Sequence, residues 1–305
     1  MSVGMGLIAS PVGRLGRGVL CFLADLGSTG WLALDSLRAI AQSKPRDQGM
    51  VRACFGQLAG LLSSAAWPVA MVHVGVGSFL SMQAFYGATF PEGTGAVVGV
   101  GLIRNGSPLL SGFILAAVLA ARAVTELRFR AGMGDEDDPR SVPDRPAGPR
   151  VRSNFGPQID ATAPAIDPAR LAASRILAAA FAGPLLGLWG ALIGTLVGWQ
   201  VAGAMLGVST PTFFIRLFEM LWVKDVVGVG VKGAAYGAVG ALFACAEGLR
   251  GEPIRPGSVK SSDLLAIRQG SFRAARRSFL VILILNSSWF LLLYLSGNPF
   301  APSLQ

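Results

Sequence analysis

LAASRILAAAFAGPLLGLWGALIGTLVGWQVAGAMLGV, residues 171–208, holds one cation, Arg175, and no acid. A helix needs about 20 predominantly apolar residues to cross the hydrocarbon of a bilayer, and this run exceeds that. Four further apolar runs lie at roughly 56–88, 95–121, 226–246 and 278–296. A mean hydropathy of +0.55 agrees with that distribution. The chain therefore reads as an all-α integral membrane protein with five transmembrane helices. The runs at 56–88 and 171–208 are longer than one straight crossing and contain Trp67-Pro68 and Pro184. Kinked, tilted or re-entrant helices are expected there.

The loops alternate in charge. Arg14, Arg17, Arg38, Lys44, Arg46 and Arg52 precede the first run, whereas only Glu92 separates the first from the second. Arg122, Arg128, Arg130, Arg140, Arg145, Arg150, Arg152 and Arg170 follow the second run. Arg216 and Lys224 are the only cations between the third and fourth. Seven basic residues, from Arg250 to Arg277, precede the fifth. Cations collect on the cytoplasmic side of short loops. This predicts a cytoplasmic N-terminus and a C-terminus outside. The net charge of +9 is then topological, since a nucleic-acid footprint would cluster on one face.

Residues 1–53 form an N-terminal cytoplasmic segment, and 54–305 form the membrane domain. Arg17, Asp25, Asp35 and Arg38 interrupt 15–40 too often for a signal peptide. Leu15, Val19, Phe22, Leu26, Leu34 and Leu37 recur at helical spacing there, which predicts an amphipathic helix in the membrane interface. GDEDDPRSVPDRPAGPR opens an insert at about 134–157 that cannot bury a core; a mobile cytoplasmic loop is expected. Among the 40 glycines, Gly194/Gly198, Gly203/Gly207 and Gly233/Gly237 have the spacing that lets helices approach closely. Packing within the bundle and a subunit seam are the two readings of those pairs. Cys21, Cys54 and Cys245 suggest small apolar fillers rather than a disulfide or metal set.

GVGVKG at 228–233 matches a dinucleotide fingerprint by letter, but no strand precedes it. No Lys follows a Gly, so the chain has no P-loop. His73 is the single histidine; it is expected to be a hydrogen-bonded helix residue, and no catalytic set surrounds it. Arg104 and Lys232 are cations inside apolar runs. Each costs about 2.5–3.5 kcal/mol at a bilayer centre on insertion scales, so such residues face a cavity or partner. Two cations on one cavity suit an anionic group such as a lipid phosphate.

Four segments carry a resemblance to the MlaE/YrbE permease family, the membrane subunits of lipid-trafficking ABC transporters that work with MCE proteins. QIDATAPAIDPARLAASRILAAAFAGPLLG, residues 158–187, is the most specific. LIRNGSPLLSGFILAAVLAAR (102–122), GVKGAAYGAVGALFACAEGLRG (230–251) and RQGSFRAARRSF (268–279) are similar to the family's second span, fourth span and start of the fifth. The resemblance implies a permease of the bacterial inner membrane, in a homo- or heterodimer, that encloses a lipid pocket. An ATPase in a separate chain would drive it and an MCE protein would sit above it, with no cofactor, metal or nucleic acid. It places Arg104, Asn105, Lys232, Gln83, Asn286 and Ser288 at the lipid pocket. Gln158, Ile159, Asp160 and Asp167 fall on the segment that couples to the ATPase.

The departures define a divergent member. Asn105 stands where the family has a glutamate, Asn286 or Ser288 where it has an acid, and Pro157 where a glutamate opens the coupling segment. With those carboxylates replaced, the pocket is expected to be more positive than the family pattern. Pro157 and Pro164 would reshape the coupling helix. A structural or regulatory subunit that no longer couples is the alternative function. A self-contained secondary transporter would show inverted repeats, and five spans show none.

Overall fold

The computed structural model describes residues 4–42, 48–87, 96–134, 168–254 and 259–295. These residues form helices α1 (Gly4–Gln42), α2 (Gln48–Gly87), α3 (Ser107–Gly134), α4 (Pro168–Leu206), α5 (Thr210–Met220), α6 (Val223–Arg250) and α7 (Ser261–Leu295). Two π-helical segments, Ala96–Val100 and Leu102–Gly106, lead into α3. No strand occurs among the described residues. Among the described residues, five helical spans are long and apolar enough to cross a membrane: Gly49–Ala84, Val98–Ala131, Ala169–Leu206, Val223–Arg250 and Ser261–Leu291. The five apolar runs and the five spans coincide.

The long first and third runs do not turn back. α2 continues through Pro68 and α4 through Pro184 as single helices. At 1.5 Å per residue each is about 60 Å long, twice the hydrocarbon thickness, so both project beyond it. The irregular backbone lies instead at 96–106, where the helix widens ahead of α3.

Small residues determine the packing. α4 lies between α2 and α6, and α6 packs on α3 and α7. Ala65, Ala123, Ala178, Ala179, Ala182, Ala241 and Ala244 are buried together with Leu61, Leu115, Leu119 and Leu186. A Cβ on Gly183 would overlap the Gly233 carbonyl, and one on Gly237 would overlap the Ala179 carbonyl. Gly77 meets the backbone of Gly194 in the same way, and Gly198 faces Ser81 and Val98. Gly194/Gly198 and Gly233/Gly237 thus bring together helices of one chain, as the packing reading expects, rather than a subunit seam. Gly207 has φ +64° and ends α4; this left-handed stop favours glycine.

Serines of α3 tie into α4: the Ser111 hydroxyl donates to the Leu186 carbonyl at 3.1 Å, and Ser107 donates to the Gly187 carbonyl. His73 is fully buried, and a Cβ on Gly190 would come within 2.6 Å of its Nε2. Its Nδ1 lies 2.7 Å from the Val69 carbonyl, so Nδ1 carries the proton. This is the helix-bonded histidine expected from the sequence. Cys245 is buried and Cys54 half-buried, both as free thiols.

α1 reaches from Gly4 to Gln42, further than the predicted 15–40. Among its described side chains, the inward side mixes polar and apolar residues. Thr29 and Ser36 are buried there, while Leu20, Trp31, Leu34 and Leu37 point away from the protein. Leu32 packs near Leu127, Ala172 and Cys245. Asp25 pairs with Arg250 at 3.3 Å and with Arg277. Arg250 also donates to the Asp25 carbonyl at 2.7 Å and to Thr29 at 3.1 Å. Glu247, only 4 % exposed, receives Arg273 at 3.2 Å and Arg277. A second group joins α3 to α4: Glu126 holds Arg130 at 2.9 Å and the buried Arg175 at 2.8 Å. One end of the bundle is therefore clasped by arginine–carboxylate pairs that link α1, α6 and α7, and α3 with α4.

Candidate substrate site

Arg104 and Lys232 meet at the other end of α6. The π-helical segment Leu102–Gly106 carries Arg104 and Asn105. Extra residues per turn in such segments shift the side chains that follow and recur at functional sites. Arg104 Nε donates to Asp225 Oδ1 at 2.8 Å, and Nη2 donates to Oδ2 at 3.1 Å. Nη2 also lies 3.2 Å from the Met220 carbonyl. The pair is a bidentate fork, the strongest form of the interaction. Asp225 is 9 % exposed, whereas the Arg104 side chain is 44 % exposed. Asp225 also accepts from the Trp222 N–H at 3.0 Å in the first turn of α6, satisfying an otherwise free helix donor.

Lys232 is buried two turns further along α6. Its Nζ donates to the Arg104 carbonyl and to Asn105 Oδ1, both at 2.8 Å. It also lies 5.6 Å from the centre of the Trp289 ring, within cation–π range. Both hydrogen-bond acceptors are neutral. One further turn along, the Tyr236 hydroxyl donates to Asn286 Oδ1 at 3.0 Å. Residues 225, 229, 232 and 236 are all buried, as one face of a 3.6-residue helix requires. This polar face spans about 16 Å from Asp225 to Tyr236. α7 supplies Asn286 and Trp289 opposite it.

Of the residues expected at the pocket, Arg104, Asn105 and Lys232 form one hydrogen-bonded group, and Asn286 joins its lower part through Tyr236. Gln83 is exposed on α2 and Ser288 is exposed on α7, and among the described residues neither bonds to the group. Gln158, Ile159, Asp160 and Asp167 lie outside the described residues, as does the insert from residue 135 to 157.

Asp225, Tyr236 and Trp289 were not anticipated. Arg104 is not left without a carboxylate: the acid comes from α6, 121 residues away, rather than from position 105. The sequence held a signal for it. An acid seven residues before Lys232 falls on the same helical face. Arg104 and Asp225 cancel, and Lys232 has no carboxylate partner among the described residues. Counted over the described residues, Arg104, Asp225 and Lys232 together carry a formal charge of +1.

A five-span helical bundle with ionised groups lining one helix belongs to the polytopic membrane proteins. Residues 155–291, a little under half of the chain, match the model of the family described as Permease MlaE, and this stretch is similar to that family's permeases. The match includes Asp225, Lys232, Tyr236, Asn286 and Trp289 but not Arg104 or Asn105. No curated protein matches the chain.

Proposed function

We propose that this chain is the membrane permease subunit of an ABC-type lipid-trafficking system and that its lipid headgroup is received at the α6 face. The observation that carries this reading is the buried Lys232, held by neutral partners in an apolar bundle. A lone buried cation in a membrane protein is costly unless an anion or a wet cavity meets it, and a lipid phosphate supplies the anion. Arg104, Asn105, Asn286 and Tyr236 position the group around it. Gln83 and Ser288, on the exposed faces of α2 and α7, are proposed to meet the acyl chains or a second permease subunit.

The energy comes from a separate ATP-binding chain, since the sequence has no P-loop. It docks under the segment bearing Gln158, Ile159, Asp160 and Asp167, at the end where the arginine–carboxylate pairs gather. That end is cytoplasmic by the charge rule. The N-terminus is then inside, the C-terminus outside, and the apolar outer face of α1 rests in the inner leaflet interface. An MCE-type protein meets the opposite end, where α5 lies, and two permease subunits pair in the membrane. Purification of the full chain from native membranes is expected to bring down an ATPase and an MCE protein. Asp160→Lys with Asp167→Lys is expected to lower ATPase recovery several-fold while membrane insertion is unchanged. Recovery of the unmodified chain without any ATPase would instead support a non-coupled subunit.

A further inference from the structure

The arrangement around Arg104 assigns a role to Asp225 that rests on the reading of the α6 face as the headgroup site. The side-on edge of the Arg104 guanidinium, Nε with Nη2, is taken by the Asp225 carboxylate, and the Met220 carbonyl also faces Nη2. That edge is the one best suited to grip two phosphate oxygens at once. Asp225 is fixed in turn by the Trp222 N–H at 3.0 Å. It is buried, while the arginine it holds is half-exposed. Arg104 is thus within reach of a ligand but closed to bidentate binding. Lys232, itself buried and held by the Arg104 carbonyl, Asn105 Oδ1 and the Trp289 ring, is the cation of this face with no carboxylate partner among the described residues.

We propose that Asp225 is a specificity-determining residue: by occupying Arg104 it limits the site to one cation, Lys232, and so selects lipids whose phosphate is a diester over those whose phosphate is a monoester. A phosphodiester carries one negative charge, which Lys232 balances. A monoester carries about −1.5 to −2 at pH 7 and needs a second cation, which the Arg104–Asp225 pair withholds. Asp225 does not touch the lipid in this scheme; it acts through Arg104.

The test uses the full-length protein in detergent with equimolar phosphatidylglycerol and phosphatidic acid, and native mass spectrometry counts each bound lipid. The unmodified protein is expected to favour phosphatidylglycerol. Asp225→Asn keeps an oxygen for the Trp222 N–H but frees Arg104. It is expected to raise the ratio of bound phosphatidic acid to phosphatidylglycerol about tenfold, the scale of one charge-assisted hydrogen bond. Asp225→Ser removes the same charge with a smaller side chain and carries the test if the asparagine variant does not fold. Lys232→Gln is measured alongside and is expected to lower the occupancy of both lipids. If both Asp225 variants keep the wild-type ratio while Lys232→Gln loses lipid, Asp225 is a helix cap only and the proposal falls, with the site reading intact. If Lys232→Gln keeps full occupancy, the headgroup site lies elsewhere and both fall.

Discussion

Gly183→Leu is expected to abolish recovery of folded protein. The obstacle to a side chain there is the Gly233 carbonyl of the facing helix, not the flexible tip of a side chain. The crossing is reciprocal: a Cβ on Gly233 would lie 2.7 Å from Pro184 N and 2.8 Å from the Gly183 carbonyl carbon. Neither backbone can yield without moving α4 away from α6. That separation would unpack Ala179, Ala182, Leu186, Ala241 and Ala244, which are buried in one cluster along these two helices. Overpacking a core costs about 1–3 kcal/mol when side chains can adjust. With backbone on both sides the cost exceeds about 3 kcal/mol, and packing rather than water exclusion holds membrane helices together. A Cβ on Gly230 of the same helix would meet nothing within 4 Å, so Gly230→Leu is the matched control and should be recovered normally. Fluorescence-detected gel filtration of the two variants decides. A monodisperse Gly183→Leu peak with the wild-type melting temperature would show that the helices are not locked at this crossing.

Glu247→Ala is expected to destabilise the opposite end of the bundle by about 3–5 kcal/mol, the cost of removing one partner from a buried ionic group. Glu247 receives Arg273 and Arg277 and lies 3.8 Å from Arg250. Asp25 alone cannot balance those three arginines. The half-exposed Arg273 can turn to water, so the lower part of the range is expected. Because Arg250 and Arg277 also hold Asp25, α1 should loosen before the bundle melts. Limited proteolysis is then expected to release the N-terminal helix from the variant at protease concentrations that leave the wild type intact. Equal melting temperatures and equal proteolysis would mean that solvent screens the cluster. Glu247→Gln combined with Arg277→Met should recover part of the loss, because it removes charge from both sides.

The spans were legible because hydrocarbon imposes a length and a composition on each helix, and nothing tertiary is needed to read them. The π-helical backbone at 96–106 was not legible. Pro68 and Pro184 marked long helices that run on as single helices rather than turning back, because a proline inside a long packed helix is accommodated by its neighbours. Lys232 and Arg104 stood out as charges in apolar runs, and they meet because a polar group in an apolar bundle is cheapest beside another. Asp225 was hidden by its position next to Lys224 in a loop-like stretch, where an acid reads as solvated. Only the start of α6 at Val223 turns it inward. Gln83 and Ser288 failed to join the group because polarity within a span does not determine which way a residue faces. In α1 the spacing of leucines gives a stripe, but a stripe alone does not say whether it faces protein or lipid.

The Arg104–Asp225 pair also sets a schedule. The two residues are 121 positions apart in the chain. At synthesis rates of about 5–20 residues per second, roughly 6–24 seconds pass after the arginine is made before its carboxylate exists. During that interval the guanidinium is without the carboxylate that holds it in the finished bundle, and the fourth span has yet to emerge. The segment before α3 is therefore made before the carboxylate that holds its arginine in the finished bundle. The finished arrangement is a late event, reached only when α6 arrives and draws the arginine inward. Variants at Asp225 would then betray themselves during biogenesis, as α3 left prone to slip or be degraded, before any lipid is bound.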